Sequence, residues 1–188
     1  GDEPHYLLAA RSLLRDGDAD LTNDYGGDLA REFFPSDLLR RLIGRGWPTL
    51  DPHDVPGPGG ERRPVHQLGY SALLLPGYAL AGRAGAQTTA VLLALLGALA
   101  IAALVERCRD LGAGDFAVTS LVLGSPLLAY SASLHAEPAG LAALTWLGVL
   151  AVTPASQRLP AGALAGGVVA AALLPWLHLK LVPAAALL

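Results

Sequence analysis

The chain has 188 residues, of which 53% are hydrophobic and only 15% charged, with a mean hydropathy of +0.45; this balance is too apolar for an ordinary soluble domain and points to lipid as the solvent. A net charge of −3 and the lack of a basic stripe interleaved with aromatics argue against nucleic acid as a partner. The single cysteine, Cys108, excludes an internal disulfide and a cysteine-built zinc centre.

The sequence starts at Gly1 without a Met and stops within the apolar run VPAAALL, so it is expected to be a piece of a longer chain. Its charges are segregated: 12 of 16 acidic and 8 of 13 basic residues lie in residues 1–65. That distribution predicts a polar segment over 1–65 and a membrane-embedded helical region over 66–188. The expected fold class is all-α, a polytopic helical membrane protein with an extracytoplasmic loop of amphipathic helices.

In chain order, Tyr6, Leu7, Ala10, Leu13 and Leu14 recur at helical spacing and predict an amphipathic helix lying on the membrane surface, with Asp2 as its natural N-cap. DGDADLTNDYGG (16–27) resembles a calcium loop but carries Leu21 where that loop needs Gly and Gly27 where it needs Glu, so a polar loop with Asx turns is expected. PSDLLRRLIGRG (35–46) predicts a second short amphipathic helix, and the proline-rich 48–64 an irregular, mobile loop. The stretch 65–82, interrupted by Pro76 and glycines, reads as a broken or interfacial segment leading into the first span, with an extra span as the alternative.

Four spans are expected, over 87–106, 116–135, 138–152 and 160–177; the first, at about 1.5 Å per residue, covers about 30 Å of hydrocarbon. Arg107, Arg109 and Arg158 mark two short loops as cytoplasmic by the positive-inside rule. This places residues 1–65, His135, Glu137, His178 and Lys180 on the outer face. Simpler roles compete at each position: Glu137 as a helix cap, His135 and His178 as interfacial polar tips, Lys180 as a snorkelling cation.

The opening DEPHYLLAARSLLRDGD resembles the first extracytoplasmic loop of polytopic glycosyltransferases of the GT-C class, which include protein O-mannosyltransferases and the lipid A aminoarabinose transferase. Asp2, Glu3, Tyr6, Ala10, Arg11, Gly17 and Asp18 occupy the recurring positions, and HAEPAGLAAL and LPWLHLK follow in matching order. The likeness departs at RRPVHQ, where many relatives have Lys-Pro-Pro, and at Glu137, often Asp.

The resemblance implies a plasma-membrane enzyme of the bacterial cell envelope that transfers a sugar from a polyprenyl-phosphate donor to a lipid, glycan or protein acceptor. It implies Asp2 as catalytic base; Glu3 is then expected to orient Asp2 or the acceptor, and a direct displacement would invert the anomeric centre. Such transfer needs a proton acceptor and groups that stabilise the departing phosphate. Arg62, Arg63, His178 and Lys180 are candidates for that phosphate, with His66, His135 and Glu137 lining the cavity. Carboxylates and histidines in this set make a divalent metal conceivable, but none is assigned and no other cofactor is expected. The competing readings are a transporter or lipid flippase, which calls for charges near mid-span, and a non-catalytic relative that has lost donor binding.

Overall fold

The computed structural model describes residues 2–25, 33, 50–108, 127–154 and 156–183. The chain is mostly helical and forms two compact units, Gly1–Thr88 and Thr89–Leu188.

In the first unit, α1 (Glu3–Arg15) begins with Glu3 and Pro4 and ends with Arg15, so acid, proline and base each sit where the helix dipole and the unpaired terminal amides favour them. The expectation of a surface-lying helix is corrected here. Tyr6, Leu7, Leu8, Ala9 and Ala10 are all buried, making α1 a core helix. The reason is visible in YLLAA: five consecutive apolar residues at 100° each cover the whole circumference rather than one stripe. Burying Leu7 and Leu8 contributes about 2 kcal/mol each.

Gly17 stops the helix at φ +77, its N–H bonded to the Ser12 carbonyl at 3.2 Å. The expected Asx turns follow. Asp18 Oδ1 accepts the Asp20 N–H, and Asp20 Oδ1 accepts the Thr22 N–H that opens a 3-10 turn over Leu21–Asn23, each at 3.0 Å. The second amphipathic helix predicted over 35–46 lies outside the described residues.

The proline-rich stretch is not the irregular loop predicted. It forms an antiparallel hairpin of β1 (Asp54–Pro56) and β2 (Arg62–Pro64), in the register Asp54 to Pro64, Val55 to Arg63 and Pro56 to Arg62. Two devices close it. Gly60 supplies a φ of +88 at the reversal, and Gly57 N–H bonds the Glu61 carbonyl at 2.7 Å. The prolines sit at strand ends, where a missing ladder donor costs little. Arg62 N–H then reaches Asp20 Oδ1 at 3.0 Å, docking the hairpin on the 3-10 turn.

α2 (Leu68–Arg107) is two helical arms joined at a sharp bend, where Ala81 has φ −147, ψ 27 and Gly82 φ +55, ψ −139. The bend falls at the end of the segment read as broken in the sequence. Beyond it, residues 83–107 form an arm of about 37 Å at 1.5 Å per residue. Val91, Leu92, Leu95, Leu96 and Leu99 stand exposed along one face of that arm.

The second unit also contains α3 (Leu127–Ala132), α4 (Glu137–Ala151) and α5 (Ala161–Leu177), then a 3-10 turn over Leu179–Leu181. Small residues set its packing: Gly97 faces Ala142, Gly148 faces Leu104, and Gly167 lies against Leu147 and Leu150. Among the described residues only α2 is long and apolar enough to cross a membrane. At 15 and 17 residues, α4 and α5 coincide with the third and fourth predicted spans but are shorter than the roughly 20 residues that a bilayer requires. Most of the second predicted span lies outside the described residues, α3 being its described end.

Candidate functional site

The first unit gathers its polar chemistry at the N-terminus of α1. Asp2 occupies the N-cap position with helical angles, φ −79 and ψ −16, and its side chain makes no capping bond. The residue that would receive the cap explains this. An N-cap carboxylate bonds the amide of the second or third helical residue, but the second is Pro4, and the amide of the third, His5, already bonds the Asp2 carbonyl at 3.0 Å. The carboxylate is therefore left for other work. It is 49% exposed and lies 3.8 Å from Nε2 of His66.

Glu3 is differently placed. Its Oε1 accepts a hydrogen bond from Nη2 of Arg83, a pair in which both side chains are about four-fifths shielded from solvent. Arg83 directly follows the bend in α2, where Gly82 takes a positive φ of +55.

The hairpin register completes the cluster. Pairing Asp54 with Pro64 sets the flanking residues, His53 before β1 and His66 two positions after Pro64, at the same end of the ribbon. The two imidazoles stack with centroids 5.2 Å apart; His66 also packs on Tyr6 at 4.8 Å, and His53 on His5 at 4.9 Å. Tyr25 braces the group from below, its hydroxyl accepting the His53 N–H at 2.9 Å and lying 3.4 Å from Nδ1 of His5. Burial, with the neighbouring His53 and His66 charges, pushes the His5 imidazole down to about 4, against a smaller upward pull from Asp2.

The other candidates are distributed as follows. Arg62 donates to Asp54 at 2.7 Å and Arg63 to Glu61 at 2.6 Å, so both phosphate candidates hold hairpin carboxylates while remaining about half exposed. In the second unit, Glu137, Gly140, His178, Lys180 and Leu181 line an open cleft of about 240 Å³. Glu137 is the first residue of α4, with Ala136 in the cap position; the capping role considered for it is not the one it adopts. His178 Nδ1 accepts the Lys180 N–H at 3.1 Å, capping the 3-10 turn. His135 stacks on Tyr130 at 5.1 Å.

Asp2, Glu3 and His66 thus come together in the first unit, and Glu137, His178 and Lys180 in the second. Sequence reasoning missed His5, His53 and Arg83. For His53 the usable signal was the Pro-Gly-rich turn in DVPGPGGERRP, which reads as a hairpin reversal once its prolines are allowed at strand ends. For Arg83 there was none, because a bend and an 80-residue separation from Glu3 leave no local pattern.

Comparison with family models, curated proteins and solved structures finds no match for this chain.

Proposed function

We propose that this protein is a polytopic membrane glycosyltransferase that moves a sugar from a polyprenyl-phosphate donor to a lipid, glycan or protein acceptor, with residues 1–65 on the outer membrane face. The observation that carries the reading is the contrast between two adjacent carboxylates: Asp2 is half exposed and makes no cap bond, whereas Glu3 is tied to Arg83. A base must meet the acceptor hydroxyl, and a positioning group must stay still. Asp2 suits the first task and Glu3 the second.

In the proposed reaction the acceptor oxygen attacks the anomeric carbon from the face opposite the donor phosphate. The new C–O bond forms as the bond to phosphate breaks, polyprenyl phosphate departs with the electron pair, and the acceptor proton passes to Asp2. The configuration inverts. Arg62 and Arg63, each about half exposed, are the outer-face guanidiniums offered to the phosphate, in exchange for their hairpin carboxylates. His178 and Lys180 offer a second set in the cleft beside Glu137.

Two further features support the assignment. The opening motif resembles that of the GT-C class, in which Asp2 and Glu3 would correspond to the acidic pair. The arm 83–107 presents exposed leucines and valines along one face, and its charges stand at its ends, Arg83 at one and Glu106 and Arg107 at the other. A mid-span charge, which ion-coupled transport calls for, does not occur in it.

The test is transfer of radiolabelled sugar from a polyprenyl-phosphate donor by the full-length protein in vesicles. Asp2→Asn should abolish product while leaving insertion and elution behaviour intact. Full transfer by Asp2→Asn would remove Asp2 from the role of base, and no transfer by the wild-type protein with any polyprenyl-phosphate sugar would defeat the enzyme reading.

A further inference from the structure

We infer that Asp2, His53 and His66 form a binding site for a divalent metal ion of the zinc class on the first unit, a site that shares Asp2 with the proposed sugar-transfer machinery but is argued without it. Each residue offers one ligand atom, and these atoms all lie within 4.8 Å of one another. Three of the chain's five histidines, His5, His53 and His66, come from distant parts of the sequence to pack in one stack beside this carboxylate.

The distances leave room for an ion between the groups. Asp2 Oδ1 and His66 Nε2 are 3.8 Å apart, too long for a hydrogen bond. Two ligands on one tetrahedral zinc, each about 2.0 Å from it, stand about 3.3 Å apart. Bringing the three atoms to that spacing takes movements of about 1.5 Å or less, within reach of side-chain rotation. The anchoring is suitably unequal: His66 is held against Tyr6 and by the His53 stack, while His53 is exposed and Asp2 half exposed, so the last two can close on the first.

The donor set selects the ion. Two imidazoles and one carboxylate match the borderline first-row divalent ions rather than calcium or magnesium, which take mostly oxygen ligands. Three protein ligands leave a fourth tetrahedral position for water, the arrangement of reactive rather than purely structural zinc. The exposed side of His53 opens that position to solvent.

The experiment uses tag-free, full-length protein stripped with chelator and titrated with Co²⁺, then Zn²⁺. One Co²⁺ per chain with the strong visible absorption of a four-coordinate ion, displaced by Zn²⁺, is the expected result. His53→Ala, an exposed position whose loss leaves the core intact, should weaken binding by at least about tenfold, as should Asp2→Asn. His178→Ala should leave it unchanged, and elution volume and helical circular dichroism report folding for each variant. Absence of a saturable Co²⁺ spectrum, or equal affinity in wild type, His53→Ala and Asp2→Asn, overturns the site.

Discussion

The guanidinium of Arg83 grips the carboxylate of Glu3 across 80 residues of sequence, tying the residue that follows the bend in α2 to the first turn of α1 within the first unit. Both side chains are largely shielded, so the pair sits between an exposed ion pair, which contributes little, and a fully buried one, whose breakage is costly. Arg83→Ala should lower unfolding stability by about 2 kcal/mol, and Arg83→Lys by less, since the charge stays while the planar fork is lost. A double-mutant cycle with Glu3→Gln, read by denaturant unfolding in detergent, should return a favourable coupling. Additive single-variant losses would show that the two groups do not interact in solution.

Arg11 makes the comparable link to Asp24 at 3.1 Å, and Asp24 is only 2% exposed. Burial pushes the Asp24 carboxyl above its usual range, with Arg11 opposing that rise. Removing the acid leaves a largely buried guanidinium without this counter-charge, so Asp24→Ala should cost about 3 kcal/mol. Thermal unfolding checks this. An unchanged midpoint would mean that the pair contributes nothing.

The opening motif shows how unevenly structure was written into the sequence. The Asx turns within 16–27 were legible, because such a turn is a local act of residues close in sequence. So were the apolar helices, whose composition alone demands burial or lipid. What the chain hid was combination: the burial of α1 over residues 6–10, the hairpin over 54–64, and the meeting of His53 with Asp2 and His66 that the hairpin brings about. Each depends on a register or contact between distant segments, and periodicity carries no information about either. The Asp2 cap failed for a local reason that was available, since Pro4 removes one amide and the Asp2 carbonyl takes the next.

The bend in α2 gives a prediction with two magnitudes. Gly82 holds φ +55 with ψ −139, a combination that glycine alone adopts readily, so Gly82→Ala should cost about 2 kcal/mol in backbone strain, with nothing nearby to obstruct the methyl. Gly85 is a different case: a Cβ there would collide with the carbonyl oxygen of Gly77, a backbone atom that cannot move without opening the bend. Gly85→Ala should therefore be much the more damaging. Comparing the two by thermal unfolding and by hydrogen exchange over 70–90 checks the order, and equal losses would contradict the close approach of the arms.

The histidine stack makes the first unit acid-sensitive. His5 titrates at about 4 in the folded protein, against 6.5 for the free group, chiefly because it is buried and faces His53 and His66; Asp2 opposes that shift and Tyr25 lies beside the ring. The unfolded chain therefore takes up this proton more readily, and stability should fall as pH drops from about 6.5 towards 4. His5 is partly exposed, so solvent screening reduces the effect. Replacing His5 with Gln should flatten the pH dependence of the unfolding midpoint across this window; an unaltered slope would assign the acid sensitivity to other groups.

The proposed base and the proposed metal ligand are the same carboxylate, and that makes the two proposals separable. A lone pair of Asp2 directed at a zinc ion is withdrawn from proton transfer, so with Asp2 as base, zinc should inhibit sugar transfer and chelator should restore it. His53→Ala separates the functions further. It removes an exposed ligand while leaving Asp2, Glu3 and Arg83 in place, so the variant should transfer sugar at near the wild-type rate and resist zinc inhibition. Should zinc instead accelerate transfer, the ion's fourth position would be the site at which the acceptor hydroxyl loses its proton, since coordination to zinc lowers the pKa of a bound hydroxyl. Asp2 would then act by holding the metal, and His53→Ala would lose transfer along with Asp2→Asn. The rate of His53→Ala, with and without zinc, decides between a base that a metal can block and a metal that replaces the base.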